Sequence, residues 1–222
     1  DVGIEIPAAL AFGTGHHGTT AGCLLALDAE LKRRRPRNAI DVGTGTGILA
    51  LALAKQIKRK VVAGDIDAIA VEVAAHNARV NHAPHALDLY VAPGLRHARA
   101  NRPGHFDLVF ANILAGPLKR LAPSIARVLS DDGTVILSGL LAMDVAGVVS
   151  TYRHQGLYLA RQSLREGWAK AAQPRGHATF DNRYYTPPGG AEPRGAPEDA
   201  IPRQAESAGV VVENRSGADI SP

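Results

Sequence analysis

The chain has 222 residues, 45% of them apolar, one cysteine and a formal charge of +4, a size that supports one hydrophobic core and argues against two full domains. A lone cysteine excludes an internal disulfide and any cysteine-built metal cluster, and no apolar run reaches the roughly 18 residues a bilayer span requires. The charge is uneven, with 20 basic and 14 acidic residues in 1–170 against five and seven from Ala171 on, so the basic body suits either an acidic or RNA-adjacent partner or an ordinary bacterial enzyme.

The first residues, from Asp1 through Val2-Gly3-Ile4-Glu5-Ile6-Pro7, read as the continuation of a longer protein. Ala11-Phe12-Gly13-Thr14-Gly15-His16-His17-Gly18 follows, and its three glycines exclude a regular element. This is a loop: either a tight connection or a flap that closes over a ligand and presents Phe12 to it. Adjacent His16 and His17 on a loop diverge and have no acidic companions, so no metal is expected. Thr19–Leu31 then reads as an amphipathic helix, with Thr19 or Thr20 as its cap, lying across the sheet edge near the ligand.

From residue 38 to 138, short β-like runs alternate with helical periodicity, the pattern of a mostly parallel sheet with helices on both faces. Strands are predicted at Asn38–Val42, Val61–Asp65, Leu87–Val91, Phe106–Ala111 and Thr134–Ser138. Helices are predicted at Ile48–Ile57, Ile69–Val80 and Leu118–Leu129, with Pro117 suited to a first helical turn. The cationic runs Lys32-Arg33-Arg34-Arg35 and Lys58-Arg59-Lys60 fall at helix ends and read as solvated termini. Beyond Ser138 the signal weakens to a helix at Met143–Ser150 and a strand at Leu157–Ser163. Residues 171–222 hold seven of the fourteen prolines, and little in them pays for ordering. A disordered tail is therefore expected after a domain at 1–170, with Val210-Val211-Val212 as an isolated apolar island.

Chemistry concentrates at Asp41-Val42-Gly43-Thr44-Gly45-Thr46-Gly47. Here an apolar strand ends in an acid, and three alternating glycines let the backbone turn sharply and approach a ligand before a helix begins. Asp65 closes the next strand 22 residues after Gly43, where a carboxylate can accept hydrogen bonds from both hydroxyls of a ribose. Dinucleotide sites carry G-x-G-x-x-G, and the third glycine of that pattern is here Ile48. An acid two residues before G-x-G-x-G is instead the pattern of class I methyltransferases, whose donor S-adenosyl-L-methionine would be bound by Asp41, Gly43, Gly45 and Asp65; a dinucleotide oxidoreductase or a purely structural glycine turn is the alternative. Asn112 ends the strand that begins at Phe106, at the sheet edge where open α/β folds bind ligands. It serves either to orient a nucleophile or the donor, or simply to form a turn.

Taken together, Phe12-Gly13-Thr14-Gly15 with His17 and Thr19-Thr20, the glycine turn, Gly64-Asp65-Ile66-Asp67, Asn112-Ile113-Leu114-Ala115-Gly116-Pro117, Leu137-Ser138-Gly139 and Glu166-Gly167-Trp168 resemble the PrmA family. Its members are class I methyltransferases that modify lysine and N-terminal amines of ribosomal protein L11. The resemblance runs in order from Gly3 to Trp168. It implies a Rossmann-like domain in which Thr20, Gly43, Asp65 and Asn112 contact S-adenosylmethionine. It also implies a large-subunit ribosomal protein as substrate, with no direct nucleic-acid readout. His16, Gly18 and Thr44 depart from the residues common in the family, and the family's N-terminal recognition domain would precede Asp1. The alternatives are another protein or small-molecule substrate, or a fragment that binds the donor without activity of its own. For the family reaction Asn112 is the expected catalytic residue, orienting an amine that must be neutral to attack, while water takes its proton; His16 or His17 as a base is the alternative.

Overall fold

The computed structural model describes residues 3–4, 17–165 and 207–214. Five helices surround seven strands in this part of the chain: α1 (His17–Arg33), β1 (Ala39–Val42), α2 (Ile48–Ile57), β2 (Val61–Asp65), α3 (Ala68–Val80), β3 (Leu87–Val91), β4 (Phe106–Asn112), α4 (Ala115–Val128), β5 (Leu129–Leu141), α5 (Val145–Arg153), β6 (Leu157–Arg165) and β7 (Ser207–Asn214). A short 3-10 turn at Ala142–Asp144 leads into α5. The strands form one sheet in the order β3-β2-β1-β4-β5-β7-β6. Neighbours among β1 to β5 run parallel, and β7 is antiparallel to both β5 and β6.

Two apolar layers flank the sheet. On one side Leu118, Ala122, Ile125 and Val128 of α4 and Val148 and Tyr152 of α5 pack on Ile40, Val109 and Leu137. On the other, α1, α2 and α3 cover Ala39, Val61, Leu108, Phe110 and Ile136. Alternate strand residues serve opposite layers, so a strand in the middle of this sheet must be apolar on both faces. That requirement explains β7. Val210 and Val212 enter the α4/α5 layer while Val211 enters the α1 layer. The expectation of a disordered tail therefore fails for residues 207–214: long-range pairing on both edges and burial on both faces stabilise a segment too short to order itself. The remainder of 171–222 lies outside the described residues.

α1 starts at His17, so Thr19 and Thr20 lie in its first turn rather than capping it. Its far end is pinned to the sheet by an ionic cluster. Glu30, 2% exposed, accepts from Arg34 Nε at 2.8 Å and from the Thr134 hydroxyl at 3.1 Å, and the other Arg34 arm donates to the Asp107 carbonyl at 2.8 Å. Arg33 bridges Glu30 and Glu213. Two of the cations read as a solvated helix terminus thus lock α1 to β4, β5 and β7, because a buried carboxylate needs partners. With this end at the amino edge of β5, the first turn of α1 points to the carboxyl edge. There Cys23 lies against the Ser138 hydroxyl, its thiol pushed up to about 12 by burial. It is an unreactive packing residue.

Candidate active site

The carboxyl edge of β1, β2, β4 and β5 gathers the residues singled out by motif. At the end of β1, Asp41 is 1% exposed, and the Thr44 hydroxyl donates to its Oδ2 at 2.8 Å. Its Oδ1 is buried with no hydrogen-bond partner among the described residues. Burial pushes this carboxyl up to about 7, against the pull of the Thr44 hydroxyl and the Ala50 amide, and Asp65 raises it further. Between about pH 4 and 7 the folded chain therefore holds a proton that the unfolded chain has released, and stability falls as pH rises through that window. At 1.36 kcal/mol per pKa unit the span is about 4 kcal/mol. Urea midpoints of the wild type should slope downward from pH 4 to 7, whereas those of Asp41→Asn should lose this slope; equal slopes would refute the assignment.

The three glycines of the turn all have positive φ, of 77°, 53° and 79° at Gly43, Gly45 and Gly47. Their missing side chains serve different ends. A Cβ at Gly43 would lie 2.4 Å from Ile113 Cγ2, and one at Gly47 would lie 2.9 Å from Ala74 Cβ. Both positions are demanded by packing, of the β4 loop and of α3 respectively. Gly45 alone of the three has nothing within 4 Å among the described residues, the clearance a ligand-facing backbone requires. The Gly43 and Thr44 amides are already committed to the Gly64 carbonyl, at 2.9 and 3.0 Å.

Asp65 is held by two amides, Gly45 N–H on Oδ2 at 3.0 Å and Asp67 N–H on Oδ1 at 3.1 Å. Each oxygen keeps a lone pair free, so the carboxylate is oriented yet able to accept two more hydrogen bonds. Asp67 in turn caps α3 by accepting from Ile69 N–H at 2.9 Å. Beside Asp65, Ile66 stands 71% exposed. Sequence reading missed it, because an apolar residue after a strand reads as core until its direction is known.

Asn112 closes β4 in register with Ser138, and its side chain has no hydrogen-bond partner among the described residues. The next residue, Ile113, is the keystone that sequence reading also missed. Its side chain packs on Gly43, and its backbone lies so close to Gly139 (φ 77°) that a Cβ there would sit 2.7 Å from the Ile113 carbonyl oxygen. Gly139→Ala combines backbone strain with overpacking and should cost roughly 2–5 kcal/mol in denaturant unfolding. A cost below about 1 kcal/mol would show that the β4 loop and the end of β5 are not wedged together.

The structure thus unites Asp41, Gly43, Gly45, Asp65 and Asn112 on one edge. Thr20, half-buried, lies in α1 one turn before Cys23 and so approaches the same edge. Phe12 and His16 lie outside the described residues, as does the side chain of His17. Among the described residues no group of three metal-ligating side chains occurs. An oriented carboxylate, a glycine backbone open to solvent and a buried acid with a spare acceptor fit an adenosine bearing a cationic tail.

A parallel sheet closed by an antiparallel β7 between β5 and β6 is the Rossmann-like fold of class I methyltransferase domains. The comparisons narrow the class. Residues 1–175 match the family model described as ribosomal protein L11 methyltransferase (PrmA). Proteins named ribosomal protein L11 methyltransferase are similar to the chain: that of Bradyrhizobium diazoefficiens is 53% identical over 166 residues, covering 75% of this chain and 56% of its own. That of Mesorhizobium japonicum is 49% identical over 168 residues, covering 76% and 58%. In fold, the chain resembles the crystal structure of ribosomal protein L11 methylase from Lactobacillus delbrueckii subsp. bulgaricus, with a TM-score of 0.64 at 23% identity, covering 90% of this chain and 80% of that one. A methyltransferase from Pyrococcus furiosus gives 0.62 at 16% identity, covering 96% and 89%. The chain belongs to the ribosomal protein L11 methyltransferase (PrmA) family. It spans somewhat over half the length of these curated relatives.

Proposed function

We propose that the chain transfers methyl groups from S-adenosylmethionine to lysine side-chain and N-terminal amines of ribosomal protein L11. The observation that carries this reading is the pairing of Gly45 N–H with Asp65 at 3.0 Å, which ties an open glycine turn to an oriented diol acceptor in a chain of this family. Asp65 accepts both ribose hydroxyls, and Ile66 offers its exposed face to the base. Asp41, buried beneath the turn, acts on the ammonium of the methionine tail through its charge rather than by direct contact. Gly43 and Gly45 line that tail with backbone, while Thr20 approaches from the α1 side.

When bound, the donor supplies a methyl carbon on a sulfonium. The chain aligns the incoming nitrogen and keeps water out. Asn112 receives an N–H of the amine on its side-chain carbonyl and so turns the nitrogen lone pair toward the methyl group. The amine must be neutral, and a lysine begins near a pKa of about 10.4, so it reacts from the uncharged form that desolvation in the closed complex favours, and water carries the proton away. A ribosomal substrate places the protein in the cytoplasm. No helix among the described residues is long and apolar enough to cross a membrane.

A second reading is that the chain binds the donor without methylating protein by itself, and the 56% coverage of the Bradyrhizobium relative favours considering it. Incubating the chain, and that relative as a control, with methyl-labelled donor and purified ribosomal protein L11 separates the two. Label in the ribosomal protein supports transfer. Donor binding with no label, while the control is active, supports the binding fragment.

A further inference from the structure

Six of the seven large apolar side chains that stand exposed among the described residues sit at carboxyl ends of strands, the edge that forms the site. Ile66, Ile69 and Val91 follow or end β2 and β3, on the side assigned to the donor. Leu114, Leu141 and Met143, which are 65%, 43% and 84% exposed, lie on the opposite side, in the loop after β4, at the last residue of β5 and in the turn beyond it. The β4 loop touches the end of β5 through Ile113 and Gly139, so Leu114 and Leu141 flank a single backbone junction next to Asn112. Exposed apolar groups clustered beside a crevice mark a binding surface.

Leu114 is the telling residue, because it breaks a local rule. It is the N-cap of α4, with φ −61° and ψ 151°, and no side chain caps the helix. Serine, threonine, aspartate and asparagine suit that position and leucine is among the poorest choices. A residue that serves neither the helix nor the core is explained by what it binds. Beside Leu141, Asp144 accepts from the Leu141 N–H at 3.3 Å and supplies an acid where a cationic, lysine-bearing segment would arrive.

We propose that Leu114, Leu141 and Met143 form an apolar lip that grips the protein substrate on either side of the target amine, packing on the aliphatic stem of the lysine and its apolar neighbours. The inference rests on the proposed function and adds the residues that set specificity for the protein. Burial of one leucine-sized side chain corresponds to at least about tenfold in affinity.

The test compares wild type, Leu114→Ser and the double variant Leu141→Ser/Met143→Ser, with Leu114→Met as the conservative control. The readouts are kcat/KM for ribosomal protein L11 with methyl-labelled donor, Kd for S-adenosylmethionine by calorimetry, and Tm. Leu114→Ser supplies the missing cap, so its Tm should match or exceed wild type. Expected is a drop of about tenfold in kcat/KM for each serine variant, an unchanged donor Kd, and near-complete retention in Leu114→Met. Unaltered kcat/KM in the serine variants would overturn the lip alone. So would a loss that appears in donor Kd instead, which would mean that these residues cover the donor. A wild-type chain inert toward ribosomal protein L11 beside an active Bradyrhizobium relative would overturn the functional reading, and the lip with it.

Discussion

Asn112→Ala is expected to lower turnover on ribosomal protein L11 by about 100-fold or more at saturating donor, with little loss of stability. An in-line displacement depends steeply on alignment, and misplacing the nucleophile by about 1 Å costs on the order of 100-fold. Asn112 is the polar side chain at the end of β4, next to a wedge made by Ile113 between Gly43 and Gly139. That wedge fixes the backbone whatever residue stands at 112. Because the Asn112 side chain has no hydrogen-bond partner among the described residues, its removal leaves no buried group stranded. Turnover and stability therefore separate. Single-turnover rates at saturating donor, with urea unfolding alongside, measure both; full turnover in the variant would remove Asn112 from the chemistry.

Asp65→Ala is expected to weaken S-adenosylmethionine binding by about 100-fold. Hydrogen bonds to a charged acceptor contribute roughly 1.5–3 kcal/mol each, and 1.4 kcal/mol is a factor of ten in Kd. Two ribose hydroxyls on one carboxylate account for the effect. A further part comes from the turn itself, since Asp65 also pins the Gly45 and Asp67 amides. Asp65→Asn keeps one carbonyl acceptor and should lose nearer tenfold. Calorimetric titration checks the order wild type, Asn, Ala; an unchanged Kd in Asp65→Ala would refute the ribose assignment.

The parallel half of the fold was legible because β1 to β4 are short apolar runs, three of them followed by a helix with clear periodicity, and the observed bounds of these four strands fall within a residue of those expected. The motif residues converge as expected for the same reason: βα units deliver strand ends to one edge. What escaped depends on long-range partners. Val210-Val211-Val212 cannot be seen as a strand until β5 and β6 are known to border it. Arg34 reads as part of a solvated helix end, because the Asp107 carbonyl it meets is 73 residues away and the Thr134 hydroxyl that shares Glu30 with it is 104 residues from that glutamate. The glycine turn shows the finest limit. Its spacing marks three glycines alike, yet only the neighbours reveal that Gly43 and Gly47 serve packing while Gly45 has no described residue close to it. Ile113 and Leu114 are two adjacent apolar residues with opposite fates, one wedged and one exposed.

The central claim is that the edge joining β1, β2 and β4 holds the methyl donor. A crystal structure of the chain with S-adenosylmethionine tests it most directly. The account predicts the ribose hydroxyls on Asp65, the methionine tail along Gly43 and Gly45 beside Asp41, and the methyl group facing Asn112. A donor bound elsewhere, as in the cavity of about 120 Å³ between α1, β5, β6 and β7 that Cys23, Ser138 and Arg161 line, would contradict it.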